Sequence, residues 1–112
     1  FMIWRGAAWH LFYEILDWKT HRGVIGHAVS ANLFDWEATG VVLEEEYHLS
    51  YPHVFEHDGA VYMTAETLGA NALRLYKAAS FPQEWEHVAD LMEGAHADPT
   101  LFHHEGTWYA FT

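Results

Sequence analysis

The sequence predicts an all-β chain of antiparallel four-stranded sheets repeated in tandem. Two observations carry this: an internal repeat of about 47 to 52 residues, and short apolar, β-branched runs separated by turn residues. A third, aromatic residues at 17% of the 112 positions, predicts a rigid, aromatic-rich core.

The repeat shows in two registers. Tyr51-Pro52-His53-Val54-Phe55-Glu56-His57-Asp58-Gly59-Ala60-Val61-Tyr62 aligns without a gap on Asp98-Pro99-Thr100-Leu101-Phe102-His103-His104-Glu105-Gly106-Thr107-Trp108-Tyr109. The same frame fits the start, where Phe1 to Ile3 precedes Trp9 to Glu14 as His53 to Phe55 precedes Val61 to Glu66, so Glu14 and Glu66 become equivalent. A second register places Gly26 to Ser30 on Leu75 to Ala79 and continues to Trp36-Glu37 on Trp85-Glu86. The units run 1–49, 50–96 and a half unit 97–112, a period in the range of propeller blades.

Each full unit reads as four strands. In the second unit these are Pro52–Glu56, closed by the turn signal His57-Asp58-Gly59, then Val61–Glu66, Ala72–Ala78 and His87–Met92. The first unit fits with Phe1–Trp4, Trp9–Ile15, Val24–Val29 and Gly40–Leu43. One segment pulls the other way: Phe81 to Met92 has apolar residues at helical spacing (85, 88, 89, 92) and Pro82 near a helix start. Its partner, Trp36 to Leu43, holds a glycine and a β-branched pair, so the repeat favours a strand.

Composition narrows the partners. Sixteen acidic against five basic residues give a formal charge of −11, with no Lys/Arg cluster, which argues against nucleic acid. No apolar run approaches membrane-spanning length, so no membrane partner is expected. Without cysteine there is no disulfide framework or thiolate metal site. No cofactor is implied, and no metal site is expected: His103 and His104 are adjacent and point to opposite faces of a strand, and no H-E-x-x-H pattern occurs. The Glu44-Glu45-Glu46 run reads as a solvated turn.

The motifs resemble the five-bladed β-propellers of the furanosidase-type glycosidases (arabinanases, xylosidases, invertases). Asp98-Pro99-Thr100-Leu101-Phe102 followed by Gly106-Thr107-Trp108-Tyr109 is similar to their blade opening, and Gly26-His27-Ala28-Val29-Ser30-Ala31-Asn32-Leu33-Phe34-Asp35-Trp36 to their strand-and-turn motif. Within that group the wording is most similar to the propeller at the N-terminus of glucosamine inositolphosphorylceramide transferases, through Ser50 to Gly59 and Val61-Tyr62-Met63 ending at Glu66. The resemblance implies part of a five-bladed ring, about two and a half blades, completed by missing blades of a parent chain or by a second copy. The start in a first strand and the end in a second point to a fragment.

In such a fold the innermost strands line a channel. The end of each second strand then returns beside the start of the first, which places Glu66 near Tyr51-Pro52-His53, Glu14 near Phe1, and Asp98 at the same point of the third unit. Glu14, Glu66 and Asp98 are the candidate catalytic residues, because glycosidic cleavage needs paired carboxylates. Tyr51 and His53 are candidate saccharide-binding residues. Against this, Asp98 before a proline suits a turn cap, Glu14 and Glu66 suit rim residues bonding backbone amides, and Trp36 and Trp85 are structural. The expected activity is glycoside hydrolysis by a carbohydrate-active propeller. The alternatives are a non-catalytic sugar-recognition module of a glycosyltransferase-like protein and a protein-binding scaffold.

Overall fold

A computed structural model describes residues 1–112 and shows three antiparallel sheets in chain order. The first comprises β1 (Met2–Arg5), β2 (Ala8–Asp17), β3 (Arg22–Ser30) and β4 (Glu37–Leu43), hydrogen-bonded in that order. The second repeats the plan with β5 (Ser50–His57), β6 (Ala60–Glu66), β7 (Ala72–Ser80) and β8 (Glu84–Glu93). A hairpin of β9 (Thr100–His104) and β10 (Thr107–Phe111) follows. The segment with helical spacing is therefore the strand β8. A single 3₁₀ turn, Leu68–Ala70, is the one departure from strand and loop that the sequence did not announce. No helix is long and apolar enough to cross a membrane.

Backbone geometry repeats as the sequence does. The turns β1–β2, β5–β6 and β9–β10 each place two successive residues at positive φ: Gly6 and Ala7, Asp58 and Gly59, Glu105 and Gly106. Two left-handed residues make the type I′ turn, whose twist suits a two-residue hairpin. Pairing within the sheets repeats too, including its irregularities. Ile25 opposes Leu43 as Leu73 opposes Met92, and Ala28 opposes Ala38 as Tyr76 opposes His87, with register shifts at corresponding places. This corrects the alignment of the third strands by one residue, so that Gly26 stands with Arg74 rather than Leu75. The fourth strands keep the register set by the tryptophans. Trp36 Nε1 donates to Leu33 O at 3.0 Å, and Trp85 Nε1 to Pro82 O at 2.9 Å.

Alternation along each strand gives every layer two faces. One face of the first sheet, with Ile3, Phe12 and Ile25, packs on Val54, Val61, Met63 and Tyr76 of the second, around Leu49 from the connection. Phe12 is fully buried and meets Trp85 edge-on at 5.7 Å between ring centres. The opposite face of the second sheet, with Phe55 and His57, meets Trp108 and His103 of the hairpin at 5.2 and 5.4 Å. That second junction is incomplete. An apolar cavity of ≈ 420 Å³ opens there among Leu73, Leu75, Leu91, Leu101 and Trp108.

Two polar networks lie in the first junction. His10 Nε2–H donates to Arg5 O at 3.1 Å, leaving His10 Nδ1 to accept from His27 Nε2–H at 2.9 Å. His27 Nδ1 then accepts from the Thr39 hydroxyl at 2.6 Å, and Gln83 donates to that same hydroxyl at 3.0 Å. This proton arrangement satisfies the whole chain with both rings neutral. In the second network, Tyr76 donates to Glu45 at 3.2 Å and lies 3.1 Å from the Tyr47 hydroxyl. Burial, the Tyr47 hydroxyl and the nearby Glu45 all raise the Tyr76 pKa. The reading of Glu44 to Glu46 as a solvated turn thus fails at Glu45, a half-buried acceptor.

Burial, with a smaller effect from His10, depresses the His27 pKa from 6.5 to about 4. The unfolded chain binds that proton first, so His27 contributes stability that is complete above pH 6.5 and lost as pH falls toward 4. Thermal unfolding followed by circular dichroism is expected to show a melting temperature that drops across this window, and a shallower drop in His27→Gln. Phe12→Ala is expected to cost about 3–5 kcal/mol in denaturant unfolding, as a fully buried ring lost from a packed seam. Trp36→Ala, at the half-exposed equivalent of Trp85, is expected to cost about 1 kcal/mol or less.

Candidate functional site

The starting ends of the first strands β1, β5 and β9 share a hollow of ≈ 320 Å³. It is lined by Phe1, Tyr51, Pro52, His53 and Thr100. Phe1, His53 and Thr100 occupy the same position of the repeat, so the hollow is where three equivalent points converge. The chain enters it in a constrained shape. Tyr51 and Asp98, themselves equivalent, both have positive φ (49 and 46), and a register shift separates the Ser50 and His53 pairings. Bulges of this kind turn a side chain away from the sheet's own alternation. Here Tyr51 is left half exposed, with its hydroxyl 3.4 Å from that of Thr100.

His53 forms the wall. Its ring packs edge-on to Phe1 at 4.8 Å, and its Nε2–H donates to Leu101 O at 2.9 Å, which fixes the tautomer. Burial lowers its pKa, partly offset by the carbonyl bond. A neutral imidazole, a phenol, a threonine hydroxyl and a proline ring make a surface of mixed polarity. It offers an aromatic face and hydroxyl-sized hydrogen-bonding groups, and no cationic side chain lines it.

The three candidate carboxylates divide. The backbone of Asp98 meets the Glu66 carboxylate, its N–H donating to Glu66 Oε2 at 3.1 Å. Ser50, beside Tyr51, is the cross-strand partner of Glu66, so this pair borders the hollow. Glu14 instead meets His48 Nε2 at 3.4 Å, and no hydrogen bond or ion pair joins it to Glu66 or Asp98. Both glutamates engage the connection leading into the next unit, Glu14 through His48 and Glu66 through the amide of Asp98. No three His, Asp or Glu side chains gather as a metal-ligand set.

The strand-and-turn motif has a local purpose. Ser30 Oγ accepts the amides of Leu33 and Asn32 at 2.9 and 3.2 Å, and Asn32 Oδ1 accepts those of Phe34 and Asp35, both at 2.9 Å. These bonds build the turn that seats Trp36. Tyr51 and His53, the candidate saccharide-binding residues, are in the lining of the hollow, and Phe1 and Thr100 were not among the candidates. The signal that finds both is the repeat register applied to His53.

Comparison with known proteins bears on all 112 residues. The chain matches the family "Glucosamine inositolphosphorylceramide transferase 1, N-terminal" over residues 1–112. It is 36% identical over 110 residues to a glucosamine inositolphosphorylceramide transferase 1 of Arabidopsis thaliana, covering 97% of this chain and 14% of that protein. Proteins of the same name in Oryza sativa subsp. indica and subsp. japonica are each 37% identical over 112 residues, covering 99% of this chain and 15% of each relative. The chain thus spans about one-seventh of these relatives' length.

A left-handed Tyr51 has a measurable consequence. Glycine occupies positive φ without a steric penalty, whereas a β-branched residue does not. Tyr51→Gly is expected to be more stable than Tyr51→Val by about 1–2 kcal/mol in chemical denaturation, the cost of a left-handed L-residue.

Proposed function

The chain belongs to the glucosamine inositolphosphorylceramide transferase 1 N-terminal family, and from that premise we propose that it is a non-catalytic saccharide-recognition module of a glycosyltransferase-type protein. One observation carries the reading: Phe1, His53 and Thr100, equivalent in the repeat, line one hollow beside the half-exposed ring of Tyr51. An aromatic face with neighbouring hydroxyl and imidazole groups suits a sugar, whose C–H face stacks while its hydroxyls exchange hydrogen bonds. The sheets act as blades of a propeller in this proposal, with β1, β5 and β9 innermost. Further blades of a longer polypeptide or a second copy complete the ring.

Glycoside hydrolysis is the second reading, for which the bond from the Asp98 backbone amide to the Glu66 carboxylate sets two acidic residues side by side in the fold. It needs one of the pair as acid and the other as base or nucleophile. Glu14, engaged with His48, has a place in that chemistry only if the rim rearranges on binding.

One titration series separates the readings. The 112-residue protein is titrated with neutral mono- and disaccharides by saturation-transfer NMR and calorimetry, and assayed against aryl furanosides and pyranosides. The recognition module is expected to bind without turnover, to lose about tenfold or more in affinity in Tyr51→Ala (about 1.4 kcal/mol), and to keep binding in Asp98→Asn and Glu66→Gln. Turnover abolished by those two substitutions establishes the hydrolase instead. No saccharide binding by the intact protein overturns both and leaves a protein-binding scaffold.

A further inference from the structure

The repeat is broken at one place close to the hollow. Eleven positions separate Glu14 from Ile25 in the first unit, and seven separate their equivalents, Glu66 and Leu73, in the second. The four extra residues lengthen the β2–β3 hairpin. Past Glu14, β2 continues through Ile15, Leu16 and Asp17, about 10 Å of extended strand, whereas β6 stops at Glu66. The second unit closes instead with the 3₁₀ turn at Leu68–Ala70. Because Glu66 pairs with Ser50 at the border of the hollow, the added length of the first unit stands above that level, at the same end of the sheets.

The lengthened hairpin is braced and its tip is apolar. Gly23 N–H donates to His48 Nδ1 at 2.7 Å, the Leu49 amide donates to Gly23 O at 3.0 Å, and Arg22 Nη1 donates to Glu46 O at 2.8 Å. A Cβ at position 23 would collide with the Leu49 carbonyl, so the glycine permits this close approach. At the tip, Asp17 Oδ1 accepts the Lys19 amide at 2.8 Å, which stiffens the turn around Trp18. Trp18 is 76% exposed. Leu16, also exposed, shares a face of β2 with Phe12 and Glu14, the face turned toward the second sheet. Stacking of layers does not cover this end. The second sheet has a layer on each side, yet Leu68 at its corresponding turn is still 42% exposed.

We propose that this hairpin is an outer subsite of the hollow, for a neutral oligosaccharide whose first unit sits against Tyr51 and whose later units run past Leu16 to stack on Trp18. The proposal rests on the reading of the hollow as a saccharide site and makes its ligand an extended chain rather than a single sugar. An indole ring offers a flat apolar face to the C–H side of a pyranose or furanose. Lys19 and Arg22 are outnumbered by Asp17 and Glu44 to Glu46 in the hairpin and the adjoining connection, within a chain of charge −11. That balance selects against uronate or phosphorylated chains and against anionic lipid surfaces.

Calorimetry on the 112-residue protein tests this with neutral xylo-, arabino- and cello-oligosaccharides of two and four units, with circular dichroism as the check on folding. In a series that binds, the four-unit chain is expected to bind about tenfold tighter than the two-unit chain. Trp18→Ala is expected to remove that gain and leave two-unit affinity unchanged, and Trp18→Phe to keep most of it. Tyr51→Ala is expected to weaken both lengths. Phe34→Ala, at an 88% exposed ring on the opposite end of the sheet, is expected to change neither. Equal affinity for the two lengths, or a gain that survives Trp18→Ala, overturns the outer subsite while two-unit binding upholds the hollow. Trp18-dependent association with phosphatidylcholine vesicles in place of a length effect also overturns it and makes the tip a membrane contact. Absence of binding at either length in every series overturns the hollow and the subsite together.

Discussion

The structure depends on one apolar seam. Phe12 and Ile25 of the first sheet close against Val54, Met63 and Tyr76 of the second over Leu49, and no disulfide supports them. The hydrophobic effect gives this contact its strength, but alternation gives it its meaning. A one-residue slip in β2 would turn Phe12 out of the seam and bring Leu11 and Tyr13 in, so the seam fixes the register of the strand that carries it. Register in turn sets where β1 and β5 begin, and so where Phe1 and His53 stand. The geometry of the hollow follows from packing some distance away from it.

The seam is not wholly apolar. A buried polar group without a partner costs a few kcal/mol, and those in the His10–His27–Thr39 chain all have partners. Such a chain has one good arrangement, whereas apolar side chains accept several packings, so it adds selectivity to the strength supplied by Phe12. His27 lies opposite Phe12 across the β2–β3 pairing, which puts the most selective and the most stabilising groups of the seam side by side. Arg5 contributes on the same junction with both ends of its side chain. Its guanidinium pairs with Glu56, its backbone carbonyl accepts from His10, and its cation lies 5.5 Å from the Phe81 ring centre.

Much of this was legible in the sequence because it is periodic. Turn residues recurring at Asp58-Gly59 and Glu105-Gly106 announced hairpins, and the β-branched partner of the Phe81 to Met92 segment outweighed its helical spacing. Irregularity was harder to read. The third strands aligned one residue out because the second unit holds one more residue between its third and fourth strands, Lys77 to Glu86 against Val29 to Glu37, where a further register shift between Ala78 and Ser80 leaves no residue signature of its own. The histidine chain was missed because His10 and His27 are seventeen residues apart and meet only through strand pairing. Glu45 was misread because three successive glutamates resemble a solvated run, and only the fold brings Tyr76 over one of them. The hollow stands between these cases: its residues follow from the repeat, but their convergence is a property of how the layers stack.

Convergence also limits what the carboxylates can be read to do. Glu14 and Glu66 are equivalent, yet they hold different partners, an imidazole in one junction and a backbone amide in the next. A group selected only to tie units together would tolerate that difference, since either partner satisfies a carboxylate at a half-exposed rim. A group selected for acid or base work would not, because its protonation depends on what it is bonded to. Glu66 and Asp98 have Ser50 and Thr100 as neighbours, residues of the strands that border the hollow. Tyr51 and Asp98, equivalent in the repeat, share a left-handed backbone, so that conformation belongs to the start of each unit and not to one side chain.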